Sequence, residues 1–119
     1  MNIDSFLKSV IDCDPAEIVI CNTQHIVVYM NPAAVRKYST DLTGKSIKDC
    51  HSQDSIDRIN KVVKWFSLST ENNTMHTYYS EKENKDVYMV ALRNGVGELI
   101  GYYEKHEWRN RDNKGFYQM

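Results

Sequence analysis

Cys50 and His51 are adjacent, just ahead of the clearest helical pattern in the chain, and this pair has the widest chemical range of any in the sequence. A helix N-terminus lowers a thiol pKa, and imidazole ligates metals readily. One reading makes His51 the axial ligand of a haem. The other packs Cys50 in the core and uses His51 and Ser52 to cap the following helix; such capping is common, and this reading is favoured. His25, His76 and His106 have no cysteine at ligand spacing, and only His106 has carboxylates beside it, on Glu104 and Glu107. Solvated faces account for all three histidines, as they do for the paired acids Glu81 with Glu83 and Glu104 with Glu107. Neither a Gly-x-Ser-x-Gly elbow nor a phosphate-binding glycine loop occurs. The residues therefore point to binding rather than catalysis, and no catalytic residue is assigned.

Tyrosine is the other informative type. Tyr29, Tyr38, Tyr78, Tyr79, Tyr88, Tyr102 and Tyr103 fall on expected strands or core helices. A buried tyrosine needs a partner for its hydroxyl, as a cavity with a few polar groups provides, although ordinary sheet packing explains any single one.

These residues must be positioned by one core, since 119 residues is the size of a single domain. Fifteen basic residues interleave with sixteen acidic ones to a net charge of -1, which leaves no basic stripe for a nucleic acid. The hydrophobic share of 41% excludes a disordered chain. Cys13, Cys21 and Cys50 are odd in number and widely spaced, which suits reduced, buried thiols. The first residues lack the pattern of a secretory signal, and apolar runs such as 26–30 are too short to span a bilayer. A cytoplasmic protein that does not engage a membrane is expected.

Apolar periodicity supplies the elements. Ile3, Phe6, Leu7, Val10 and Ile11 form one stripe of a short helix, ended by Asp14-Pro15. Residues 16–21 and 26–30 read as a hairpin around Asn22-Thr23-Gln24. Asn31-Pro32 starts a short helix by supplying a cap and a proline that needs no partner. Gly44 marks a sharp bend within an irregular stretch. Ile56, Ile59, Val62, Val63 and Phe66 define a longer helix. Residues 75–80, 87–93 and 99–107 read as a three-stranded meander, with Asn94-Gly95 forming a tight turn between the last two.

This order resembles the PAS domain. The resemblance covers roughly residues 16–108 and rests on Asn31-Pro32-Ala33-Ala34 at the end of a strand, Leu42-Thr43-Gly44-Lys45-Ser46-Ile47 before the long helix, and Gly97-Glu98-Leu99-Ile100-Gly101 approaching the last strand. It implies an α+β fold: a five-stranded antiparallel sheet with helices packed across one face and a cavity between them. Residues 1–14 would form an N-terminal amphipathic helix, 15–108 the domain and 109–119 a polar tail. The apolar stripe of the first helix either pairs with a second copy or packs on its own sheet. Tyr29, Val35, Tyr38, Ile47, Cys50, His51, Ile59, Val63, Met89, Ala91 and Tyr102 are the candidate cavity residues. Such a sensory module would bind a small molecule or cofactor, haem and flavin included, and signal in trans to a partner protein, as a homodimer. The alternative is a cofactor-free dimerisation or interaction domain with a filled core. A light-driven flavin adduct is disfavoured, because Ile47 stands three residues after Gly44, where photosensor domains of this type carry a reactive cysteine followed by Arg-Phe-Leu-Gln.

Overall fold

The computed structural model describes residues 2–119. Helix α1 spans Ile3–Asp12, with Asn2 as its cap. A hairpin follows, β1 (Val19–Asn22) and β2 (Val27–Met30), and then helix α2 (Pro32–Tyr38). A 3-10 turn over Ile47–Asp49 leads into helix α3 (Gln53–Leu68), and strands β3 (Thr74–Ser80), β4 (Lys85–Arg93) and β5 (Leu99–Trp108) complete the chain. The strands form one antiparallel sheet in the order β2-β1-β5-β4-β3. The first hairpin thus joins the later meander through β1 and β5, as the five-stranded expectation requires.

Asn31 explains why the first half folds as it does. Fully buried, it caps α2 by accepting from the Ala34 amide at 2.9 Å, and its Oδ1 also accepts from the Ile18 amide at 2.9 Å. Its Nδ2 donates to the carbonyls of Ile11 at 3.0 Å and Ala16 at 2.9 Å. One side chain therefore joins the end of α1, the entry to β1 and the start of α2. It also explains why β1 is shorter than the expected 16–21: the backbone of residues 16–18 bonds to Asn31 and to Asp14 instead of to a strand. Ile26, expected to open the second strand, bridges Ser46 instead.

Gly44 has φ +87° and donates to the Val27 carbonyl at 2.8 Å, bringing the irregular stretch against β2. The expected tight turn at Asn94-Gly95 is longer. Asn94 Oδ1 accepts from the amides of Val96 and Glu98, and the left-handed conformation falls on Gly97 at φ +85°. Gly101 is required by close approach, since a Cβ there would lie 2.1 Å from the Cys21 carbonyl oxygen across the β1–β5 pairing.

Helix α3 extends beyond the expected apolar run at both ends: its first turn carries polar residues that leave no periodic signal, and Ser67 and exposed Leu68 continue it past Phe66. Ser52 caps it by accepting from the Ser55 amide. It buries Ile56 and Phe66 against the sheet, where Cys21, Val27, Met30, Ala34, Ile47, Met89 and Tyr102 complete the core. Its C-terminal end is fixed by Arg93 of β4. That guanidinium donates to the carbonyls of Phe66, Ser69, Asn72 and Gly97 and to Asn73 Oδ1.

The apolar stripe of α1 does not pack on its own sheet: Ile3, Phe6, Leu7 and Val10 are 55–72% exposed. The end of the helix is anchored through Asn31 and through Asp12, which accepts from the Tyr29 hydroxyl, and Lys8 lies over the Tyr29 ring.

Candidate functional site

A partly open cavity of about 290 Å3 lies between β1, β5 and the start of α3. Val19, Cys21, Leu42, Ile47, Ile59 and Tyr102 supply its apolar wall, and Tyr38, Cys50, His51 and Glu104 its polar edge. Alternation along β1 sends Val19 and Cys21 to the same face, and Tyr102 and Glu104 point inward from β5 by the same two-residue period. Burial pushes the Cys21 thiol up to about 11, which leaves it protonated and inert.

Tyr102 is held from behind. Its hydroxyl lies 2.8 Å from His25 Nδ1, and His25 Nε2 lies 2.7 Å from Asn60 Oδ1 on α3. The amide oxygen only accepts, so Nε2 carries the ring proton and Nδ1 accepts from the tyrosine. His25 reaches this position because its backbone is left-handed, at φ 67°, which turns the imidazole under the sheet. At 3% exposure it is a core residue, which corrects the expectation of a solvated histidine.

A second, more polar cleft of about 500 Å3 adjoins the cavity and shares Tyr38, His51, Ile59 and Glu104 with it. Lys85 lines it, 2.6 Å from Glu17 Oε1 and 3.0 Å from Glu83 Oε2, and Glu83 reaches Lys37 at 2.9 Å. Burial, the largest single influence, would raise Glu17, but the hydrogen bond from Lys85, a backbone hydrogen bond and the charges of His106 and Lys85 together hold the carboxyl below its usual range. Lys37, together with Lys85, depresses Glu83 to about 2. The Lys85 ammonium also stands 5.4 Å from the Trp108 ring centroid.

His106 also lines this cleft, and its side chain is only 7% exposed. Its Nδ1 is buried without a hydrogen bond, 3.6 Å from Glu17 Oε1, and its Nε2 is 3.8 Å from Glu104 Oε2. This too corrects the expectation of a solvated face. Burial lowers its pKa, which favours the neutral ring. Glu104 is surrounded by protein yet keeps 40% of its side-chain surface accessible, because it faces open space between sheet and helices. Burial raises its pKa, aided by Glu17 and opposed by His51 and Lys85.

The sequence matches no protein-family model and no curated protein. Its three-dimensional similarities are clear. A C-terminal domain from Streptococcus mutans superposes with a TM-score of 0.69 at 17% identity, over 90% of this chain and 84% of that one. The PAS domain from Bordetella pertussis BvgS superposes at 0.62 with 14% identity, over 92% and 89%. The fold is that of a PAS domain. A sensory box sensor histidine kinase from Vibrio cholerae superposes at 0.58 with 12% identity, over 91% and 94%.

Within this PAS fold the cavity brings together Tyr38, Ile47, Cys50, His51, Ile59 and Tyr102 of the residues expected there, and Met89 lines the adjoining cleft. Val35, Val63 and Ala91 pack against the core without lining the cavity, and Tyr29 turns toward Asp12 of α1. Cys50 is exposed and Cys13 is exposed, which corrects the buried expectation for both; only Cys21 is in the core. Cys50 Sγ and His51 Nδ1 both contact the Ile47 carbonyl, at 3.5 and 3.0 Å. Ser52, not His51, supplies the cap.

Sequence reasoning missed Glu104, Lys85 and His106, which sit in polar strings, and Glu17, which stands alone ahead of an apolar run. The two-residue alternation Tyr102, Glu104, His106 on one face of β5 is the signal that could have found two of them. The residues fit neither a haem nor a flavin. A porphyrin needs apolar walls on both faces, but the space beyond the 290 Å3 cavity is walled by the Glu17–Lys85–Glu83 ion pairs. A flavin presents an amide-rich edge, and the cavity lining has no asparagine or glutamine to meet it. Among the described residues no group of three His, Cys, Asp or Glu side chains is placed to hold a metal, and no helix is long and apolar enough to cross a membrane.

Proposed function

We propose that this PAS domain is a sensory module that binds a compact small molecule between β1, β5 and α3 and signals through protein contacts. The observation that carries this reading is the cavity itself: about 290 Å3, near the lower end of the roughly 300–1,000 Å3 usual for small-molecule sites, and apolar with a few convergent polar groups. Similarity to a sensor histidine kinase from Vibrio cholerae supports a role in signalling. Ile59 of α3 and Tyr102, tied through His25 to Asn60 of α3, would report occupancy to that helix.

Native mass spectrometry of the freshly purified chain tests the reading. A retained molecule that is lost on replacing Ile59 with tryptophan, which fills the cavity, is the expected result. An Ile59→Trp protein that stays folded and holds the same adduct would refute it.

The uncovered stripe of α1 favours a second, compatible role as a homodimer contact. Light scattering should then give a dimer mass for the wild type and a monomer mass for Phe6→Glu. An unchanged mass for that variant would remove α1 from the contact.

A further inference from the structure

The charges behind the apolar cavity do not balance. Glu17 and Glu83 are matched by Lys85 and Lys37 at hydrogen-bond distance, whereas Glu104 has no cation that close among the described residues. Arg58, at the mouth of the same cleft, is exposed on α3 and pairs with none of these acids.

His106 adds a second polar group beside Glu104, with its buried Nδ1 making no hydrogen bond. Glu17 can only accept, so the proton of the neutral ring belongs on Nδ1, which faces it, and Nε2 is left as a bare acceptor. That nitrogen looks toward another acceptor, Glu104 Oε2, 3.8 Å away. While Glu104 is ionised, neither can satisfy the other. A nitrogen carrying several N–H bonds, placed about 2.9 Å from each, satisfies both.

We propose that the cavity takes a small amphipathic primary amine, its ammonium bridging Glu104 and His106 and its apolar body lying against Val19, Leu42, Ile47 and Ile59. This rests on the reading of the cavity as a ligand site and specifies its chemistry. An anionic ligand would meet the unpaired carboxylate and gain nothing from either acceptor. A neutral alcohol has one donor for two acceptors and leaves the charge uncompensated. The raised pKa of Glu104 is what an ammonium beside it would reverse, so amine binding favours the ionised acid.

Three probes of one shape separate these cases: 2-phenylethylamine, 2-phenylethanol and 3-phenylpropanoate, titrated into 15N-labelled wild-type and Glu104→Gln protein. The amine should bind at least tenfold more tightly than the alcohol, with shifts centred on Val19, Ile47, Ile59 and Tyr102. Glu104→Gln, folded by its own spectrum, should weaken the amine tenfold or more and change the alcohol less than twofold. His106→Phe should also weaken the amine selectively. An amine no tighter than the alcohol, a preference for the carboxylate, or indifference to Glu104→Gln would overturn the amine assignment and leave the cavity as a ligand site. No cavity shift from any probe would overturn both.

Discussion

Replacing Lys85 with methionine keeps most of the side chain's apolar stem over Trp108 but deletes the ammonium that lies 2.6 Å from Glu17. The side chains of Lys85 and Glu17 are 5% and 8% exposed, so the carboxylate left behind has little access to water. Breaking a buried pair from one side costs about 3–5 kcal/mol, and the lower end applies here because the pair lines a cleft rather than the centre of the core. With an unfolding entropy of about 2.1 cal/mol/K per residue, about 3 kcal/mol in a chain of this length lowers Tm by about 12 °C. Urea melts followed by circular dichroism at pH 7 and pH 4 would measure the effect. In the wild type Glu17 is held below its ordinary value of 4.5, so its stabilisation is present above that pH and is lost as pH falls. In Lys85→Met burial acts on Glu17 without its main partner and raises it, so the penalty fades on acidification and the two proteins converge. Glu17→Gln combined with Lys85→Met should recover most of the loss. A single-variant loss below about 1 kcal/mol, or a gap independent of pH, would refute the claim that this pair is desolvated.

Three further outcomes follow from the same structure. Glu104→Gln should raise Tm at pH 7: the raised carboxyl favours the fold most below 4.5 and loses that advantage as pH rises, so the gain should vanish by about pH 4 in a thermal-shift series. Arg93→Lys should lower stability by about 2 kcal/mol or more, since an ammonium cannot span the five acceptors that the guanidinium reaches; calorimetry would record it. Gly101→Ala should force β1 and β5 apart, at a cost on the order of 3 kcal/mol, visible as faster hydrogen exchange at Cys21 and Tyr102.

The elements that bury an apolar face were legible in the sequence. The periodic run from Ile56 to Phe66 and the β-branched and aromatic meander each announce a period that only one secondary structure satisfies. Asn31-Pro32 was legible because capping is local chemistry, although the reach of the Asn31 side chain is not, since Ile18, Ala16 and Ile11 lie 13 to 20 residues away. Polar residues that turn inward were hidden for the same reason. Lys85 pairs with Glu17 across 68 positions, and His25 meets Tyr102 across 77. Nothing local distinguishes such side chains from solvated ones, because their burial is decided by which strands become neighbours. Tyr29 shows the converse: its strand was anticipated, but the hydroxyl follows Asp12 rather than the cavity.

Arg93 clamps the C-terminal end of α3 through three carbonyls, while its first half is held by the single Asn60–His25 bond and by packing of Ile56, and that asymmetry sets how the helix can respond. A rod of 16 residues is about 24 Å long, so a tilt of about 5° about the clamped end swings the Ser52 end by about 2 Å. The first half of this lever borders the cavity through Ile59, with His51 just ahead of it. A molecule wedged there acts at a long arm from the fulcrum, where a small push on the helix yields its largest displacement.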